Sequence, residues 1–140
     1  MQACFYNVST TLSVLQHNAS LLLPILNKYN QHNIFFLCKD EQSQLVWLNA
    51  LLSLKLQFIP AKIYTGHADT DNTNYVYLVN NKIHDVMLMS DVVLNIDAID
   101  IYDIKSKMIL ELVTTDRKAV SRERWLAYKK QSFLLNYLNY

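Results

Sequence analysis

Residues 34–52, IFFLCKDEQSQLVWLNALL, decide the fold. The first five, IFFLC, are a continuous apolar run bounded by polar residues, the pattern of a parallel strand buried on both faces. Asp40 then offers an N-cap to a helix on which Leu45, Leu48, Leu51 and Leu52 form an apolar stripe, with Trp47 and Ala50 beside it. A strand that feeds directly into a helix is the repeating unit of a parallel α/β sheet. The same unit precedes it. Residues 3–8, ACFYNV, read as a strand, and Ser9 or Thr10 can cap a helix carrying Leu12, Leu15, Ala19, Leu22, Leu23 and Leu26. Pro24 inside that pattern predicts a kink or an early break.

Downstream the signals are shorter. Phe58-Ile59-Pro60 reads as a strand end or an extended lead-in, residues 67–74 as a polar loop, and residues 75–79 and 86–89 as strands around the Asn80-Asn81-Lys82 turn. A weakly marked helix is expected over 98–105, a strand over 108–113 and a helix over 116–131. The apolar, aromatic tail at 134–140 is expected to pack rather than fray. The expectation is one three-layer α/β domain spanning residues 1–140, with a mostly parallel sheet flanked by helices.

Composition removes several function classes. At 51% hydrophobic and 18% charged, with a net charge of +1, the 140 residues suit a globular domain and not one held mainly by nucleic-acid phosphates. Gly66 is the only glycine, which excludes the usual forms of the phosphate-cradling loops. His17, His32, His67 and His84 lack the spacings of a metal site, so no metal or cofactor is expected. Asp97, Asp100 and Asp103 would share a helix face, which a solvated acidic surface explains. Cys4 and Cys38 lie in apolar runs without a CxxC context, as buried reduced thiols of a cytoplasmic protein would. Neither an export signal nor a membrane span is expected, and no catalytic motif is found.

Charge is concentrated in residues 116–131, DRKAVSRERWLAYKKQ, with six of the chain's thirteen Lys and Arg residues against two acids. At about 100° per residue, Lys118, Arg122, Trp125 and Lys129 fall within roughly 60° of arc along one stripe. Arg pairs carboxylates in a bidentate manner while an aromatic supplies apolar area, so the stripe suits an acidic peptide with an apolar end. A solvated face, with Trp125 turned into the core and the long cations around it, accounts for the same pattern.

Residues 109–136, with Arg122, Arg124, Trp125 and Tyr128 as an R-x-R-aromatic-x-x-Tyr core, resemble the end of the chi subunit of bacterial DNA polymerase III. Phe5-Tyr6, Cys38-Lys39-Asp40-Glu41, Leu48-Asn49-Ala50-Leu51-Leu52, Phe58-Ile59-Pro60 and Asp85-Val86-Met87-Leu88 are similar to further segments of that family, in the same order. The resemblance implies a nucleotide-binding-like topology without a nucleotide site, and a non-catalytic accessory subunit of the clamp-loader assembly. Its partners would be the acidic C-terminal tail of single-stranded DNA-binding protein and the psi subunit, with DNA reached only indirectly. The tail site would use Lys118, Arg122 and Trp125, to which the stripe adds Lys129. Leu52, Phe58 and Pro60 lie in the region the family turns towards psi. Three positions depart from the family: Leu126 where a basic residue is frequent, Ser53 in place of Trp, and Ala61 in place of His. A small α/β enzyme with a glycine-poor active site is the alternative.

Overall fold

The computed structural model describes residues 1–54, 60–66, 69–80, 92–99 and 106–140. Strand β1 spans Gln2–Asn7, helices α1 and α2 span Leu12–His17 and Leu23–Lys28 with a 3-10 turn between them, and β2 spans Ile34–Cys38. Helix α3 spans Glu41–Leu52, followed by β3 (Ala61–Ile63), β4 (Val76–Asn80), β5 (Val92–Leu94) and β6 (Met108–Val113). Helix α4, Lys118–Lys130, leads into β7, Leu134–Asn139. Among the described residues seven strands form one sheet in the order β3-β4-β2-β5-β6-β1-β7, and every pairing between them is parallel.

Alternation along each strand divides the core between two faces. Cys4, Tyr6, Phe36, Cys38, Leu110 and Leu112 point to the side covered by α1, α2 and α3. Ala3, Phe5, Phe35, Leu37, Ile109 and Val113 point to the side on which Tyr128 of α4 and Phe133 pack. The three-layer α/β architecture expected from the sequence is therefore present. All five residues of β2 are buried, as a central strand requires. Both cysteines are free and buried, and burial pushes the Cys38 thiol up to about 12.

Three local expectations need correction. The helix over Leu12 to Leu26 is broken early, as expected, but the break falls at Asn18 and Pro24 lies in the first turn of α2, where a proline forfeits no hydrogen bond. Thr11, and neither Ser9 nor Thr10, caps α1 by accepting from the Val14 N–H. In α3 the side facing the sheet carries Trp47, Ala50 and Leu51, whereas Leu45 and Leu52 are more than half exposed. Seven of the eight residues 45–52 are apolar, so no single face is marked, and the indole packing edge-on against Phe36 sets the rotation. Asp40 caps α3 as expected, accepting from the Ser43 N–H at 2.8 Å. The strand expected over 86–89 and most of the helix expected over 98–105 lie outside the described residues, as do Phe58 and Ile59. The tail at 134–140 supplies the edge strand β7.

Candidate functional site

The start of α4 is tied to the rest of the molecule before the helix begins. The Arg117 guanidinium donates to the Ile96 carbonyl at 3.0 Å and to Thr114 Oγ1 at 3.3 Å, and an Asp116 carboxylate oxygen accepts from the Leu12 N–H. Burial pulls the Arg117 guanidinium below its ordinary value, and its Nη2 has no hydrogen-bond partner among the described residues.

Ser121, Arg124 and Tyr128 form the buried side of α4. Arg124 Nε donates to Glu111 Oε1 of β6, and its Nη2 donates to the Tyr128 hydroxyl at 2.6 Å. Asn95 Nδ2 donates to the same Glu111 oxygen at 2.9 Å, and Asn95 also bonds the backbone of Ile99 through its side chain. Both members of the ion pair are 3% exposed, so the charges are desolvated and depend on each other. Burial pushes the Glu111 carboxyl up to about 7, against the opposing pull of Arg124 and Asn95. Burial acts downward on Arg124, but Glu111 and Tyr128 outweigh it and hold the guanidinium above its ordinary value.

This raised carboxyl has a consequence for stability. Between its unfolded value of 4.5 and about 7 the folded chain binds the extra proton, so stability falls as pH rises through that window. Below about 4.5 Glu111 is protonated in both states and exacts no penalty; above about 7 the penalty is complete. Urea unfolding from pH 4.5 to 7.5 should show this contribution, on the order of 1–3 kcal/mol, and Glu111→Gln should remove that part of the slope while lowering stability overall. An unchanged slope in the variant would assign the titration to another group.

A quarter-turn round α4 from this buried side lies the basic stripe. Lys118, Ser121, Arg122 and Trp125 line an open groove of about 250 Å³ whose remaining walls are Phe5 of β1, Val113 of β6 and Tyr137 of β7. Trp125 is half-buried and meets Phe5 edge-on, with ring centroids 5.1 Å apart. The floor is apolar and aromatic. Lys118 and Arg122 stand exposed at the rim, and neither has an acidic partner among the described residues. Among the described residues no side chain caps the first turn of α4, so its N–H groups add positive potential at the same end. The structure thus brings Lys118, Arg122 and Trp125 to one groove, while exposed Lys129 does not line it. Arg124, part of the same motif, serves the interior.

The sequence reading placed none of Phe5, Val113, Ser121 and Tyr137 in the site. Strand parity offered a signal for three of them, since Phe5, Val113 and Tyr137 occupy the α4 side of the sheet. The psi-facing candidates lie elsewhere. Leu52 and Pro60 are exposed, while Phe58 falls outside the described residues.

No family model and no curated protein matches the chain. Its functional reading therefore rests on the groove and on the resemblance of residues 109–136. A second depression, of about 250 Å³, lies where β2 and β5 send the chain in opposite directions, the position at which doubly wound sheets bind ligands. Here Asp97 fills the position an anion would take. Its Oδ2 accepts from the Lys39 N–H at 2.8 Å and from Ser43 Oγ at 2.5 Å, with the Asp40 cap beside it. Two carboxylates at this helix start repel a phosphate, which fits the glycine-poor sequence. Among the described residues no group of three or more His, Cys, Asp and Glu could hold a metal ion, and no helix is long and apolar enough to cross a membrane.

Proposed function

We propose that this chain is a non-catalytic, chi-like adaptor of a bacterial replicase that captures the acidic C-terminal tail of single-stranded DNA-binding protein. The supporting observation is the groove, with its aromatic floor of Phe5, Trp125 and Tyr137 beneath two cations that have no acidic partner among the described residues. A tail that ends in an aromatic residue and a free carboxylate matches both features. Its ring would lie on Trp125, its carboxylate would take the Arg122 fork, and Lys118 and Lys129 would steer the preceding acids. On the opposite face of the sheet, exposed Leu45 and Leu52 stand seven residues apart on α3. Leu52 and exposed Pro60 would face a psi-like subunit, which would carry the adaptor to the clamp loader in the cytoplasm. DNA is reached only through these partners.

Trp125 provides the assay. Titration of an acidic peptide ending in Pro-Phe should change the fluorescence of half-buried Trp125, while fully buried Trp47 contributes a constant background. Wild type should bind in the micromolar range, more weakly as salt rises, because exposed charges are screened over about 10 Å at 0.1 M. Arg122→Ala should weaken binding about tenfold, or 1.4 kcal/mol, and amidation of the peptide terminus should cost wild type a similar factor. Absence of binding by folded wild type at low salt would reject the reading.

A further inference from the structure

The two edges of the sheet are protected very differently. At one edge β3 is three residues long and carries Lys62, paired with Asp69 at 2.9 Å. Short strands and lysines are the usual guards against edge-to-edge association. At the other edge β7 follows β1 in unbroken register for six residues, and residues 134–140, LLNYLNY, contain no charge and no proline. Leu134 is 65% exposed and Tyr137 50%, with Leu138 and Tyr140 also exposed.

The hydrogen bonds of β7 define what this edge offers. Leu134 N–H donates to the Met1 carbonyl at 3.1 Å and Tyr140 N–H to the Asn7 carbonyl at 2.8 Å. Strand alternation therefore gives the backbone groups of residues 134, 136, 138 and 140 to β1 and turns those of Leu135, Tyr137 and Asn139 outward. Beyond them no strand follows among the described residues. These three outward positions are symmetric about Tyr137. An antiparallel copy of the same strand, related by a two-fold axis that is perpendicular to the sheet and passes midway between the two Tyr137 residues, satisfies all of them: Tyr137 pairs with Tyr137, and Leu135 with Asn139 in both directions. On the other face of the sheet this register sets Leu134 opposite Tyr140 and Asn136 opposite Leu138, with no like charges opposed.

We propose that β7 pairs with β7 of a second copy of this chain, joining two seven-stranded sheets across a dyad at Tyr137. A strand of six residues is about 20 Å long, and with side chains on both faces it covers roughly 400 Å² per copy. At about 800 Å² in total that is below the size of standard specific interfaces, so the dimer is a weak, transient one that forms only at high protein concentration. Tyr137 also lines the groove, but the pairing uses its backbone groups, so it does not require any particular occupant of the groove.

Analytical ultracentrifugation of the full chain from about 1 to about 200 µM tests it. Wild type should move from 16.4 kDa towards twice that mass. Asn136→Lys with Leu138→Lys opposes lysines across the dyad, and the corresponding Glu pair opposes glutamates. Both residues are exposed, so each double variant should keep the wild-type circular dichroism and melting transition yet remain monomeric. Mixed one to one, the Lys and Glu variants should recover the dimer. Monomeric wild type throughout the range would overturn the proposal, including the case in which the edge instead accepts an extended peptide of another protein. A dimer that persists in the Lys variant alone would overturn it by locating the contact on another surface.

Discussion

Arg124→Ala should destabilise the fold by about 3–5 kcal/mol, lowering the melting temperature by roughly 10–15 °C for a chain of this size. The substitution strips Glu111 of its guanidinium, leaving Asn95 Nδ2 as the remaining donor to that oxygen among the described residues. It also takes away the Arg124 donor at the Tyr128 hydroxyl. The Glu111 Oε2 atom has no hydrogen-bond partner among the described residues even in wild type, so the carboxyl has nothing in reserve. Removing one partner of a buried pair costs far more than the pair contributes, because desolvation of the survivor is no longer offset. Replacing both partners reverses this logic. Arg124→Met together with Glu111→Leu fills similar volume with apolar atoms, and should recover most of the loss. Urea denaturation of wild type, the two single variants and the double variant gives the coupling directly. A loss under about 1 kcal/mol for Arg124→Ala would mean that the pair is not the tie between α4 and β6. Arg122→Ala provides the contrast, since an exposed side chain with no acidic partner among the described residues should leave stability within about 0.5 kcal/mol of wild type.

That contrast marks the limit of what the sequence disclosed. Arg122 and Arg124 sit two residues apart in one basic run, and composition treats them alike. A helix turns about 200° between them, so one faces the rim of a groove and the other the core. The available clue was the lone acid in β6, MILELV, because a carboxylate inside an apolar strand requires a partner and Arg124 and Tyr128 share a helix face at i and i+4. Strand β2, the Asp40 cap and α4 were legible because each carries a local signal of period, cap or charge. The rotation of α3 was not, since apolar residues surround most of that helix. The groove floor was harder still. Phe5 and Tyr137 meet through the pairing of β1 with β7, which joins the two ends of this sequence by contacts that no local window contains. Strand β5, three residues long, is too short for a periodic signal.

The groove makes its own demand on Trp125. Trp125→Ala should weaken the acidic, aromatic-ended peptide by about 30- to 100-fold, or 2–3 kcal/mol, a larger loss than at Arg122. The reason is solvent. Arg122 is exposed, so water and salt share its charge and its contact with a carboxylate is worth little more than other rim contacts. The indole lies between the helix and Phe5, where a peptide ring would bury apolar area on both partners at once. Truncation also removes the edge contact that keeps the floor in shape, so the variant should lose about 1–2 kcal/mol of stability as well. Trp125→Phe separates the two roles. It keeps an aromatic ring against Phe5 and should bind only about three- to tenfold more weakly, with stability near wild type. Because these variants lack the fluorophore, anisotropy of a labelled peptide is the appropriate readout. Equal losses for Trp125→Ala and Trp125→Phe would place the peptide's ring elsewhere. An unaltered affinity in both would move the tail off this groove altogether and leave the basic stripe of α4 as a solvated face.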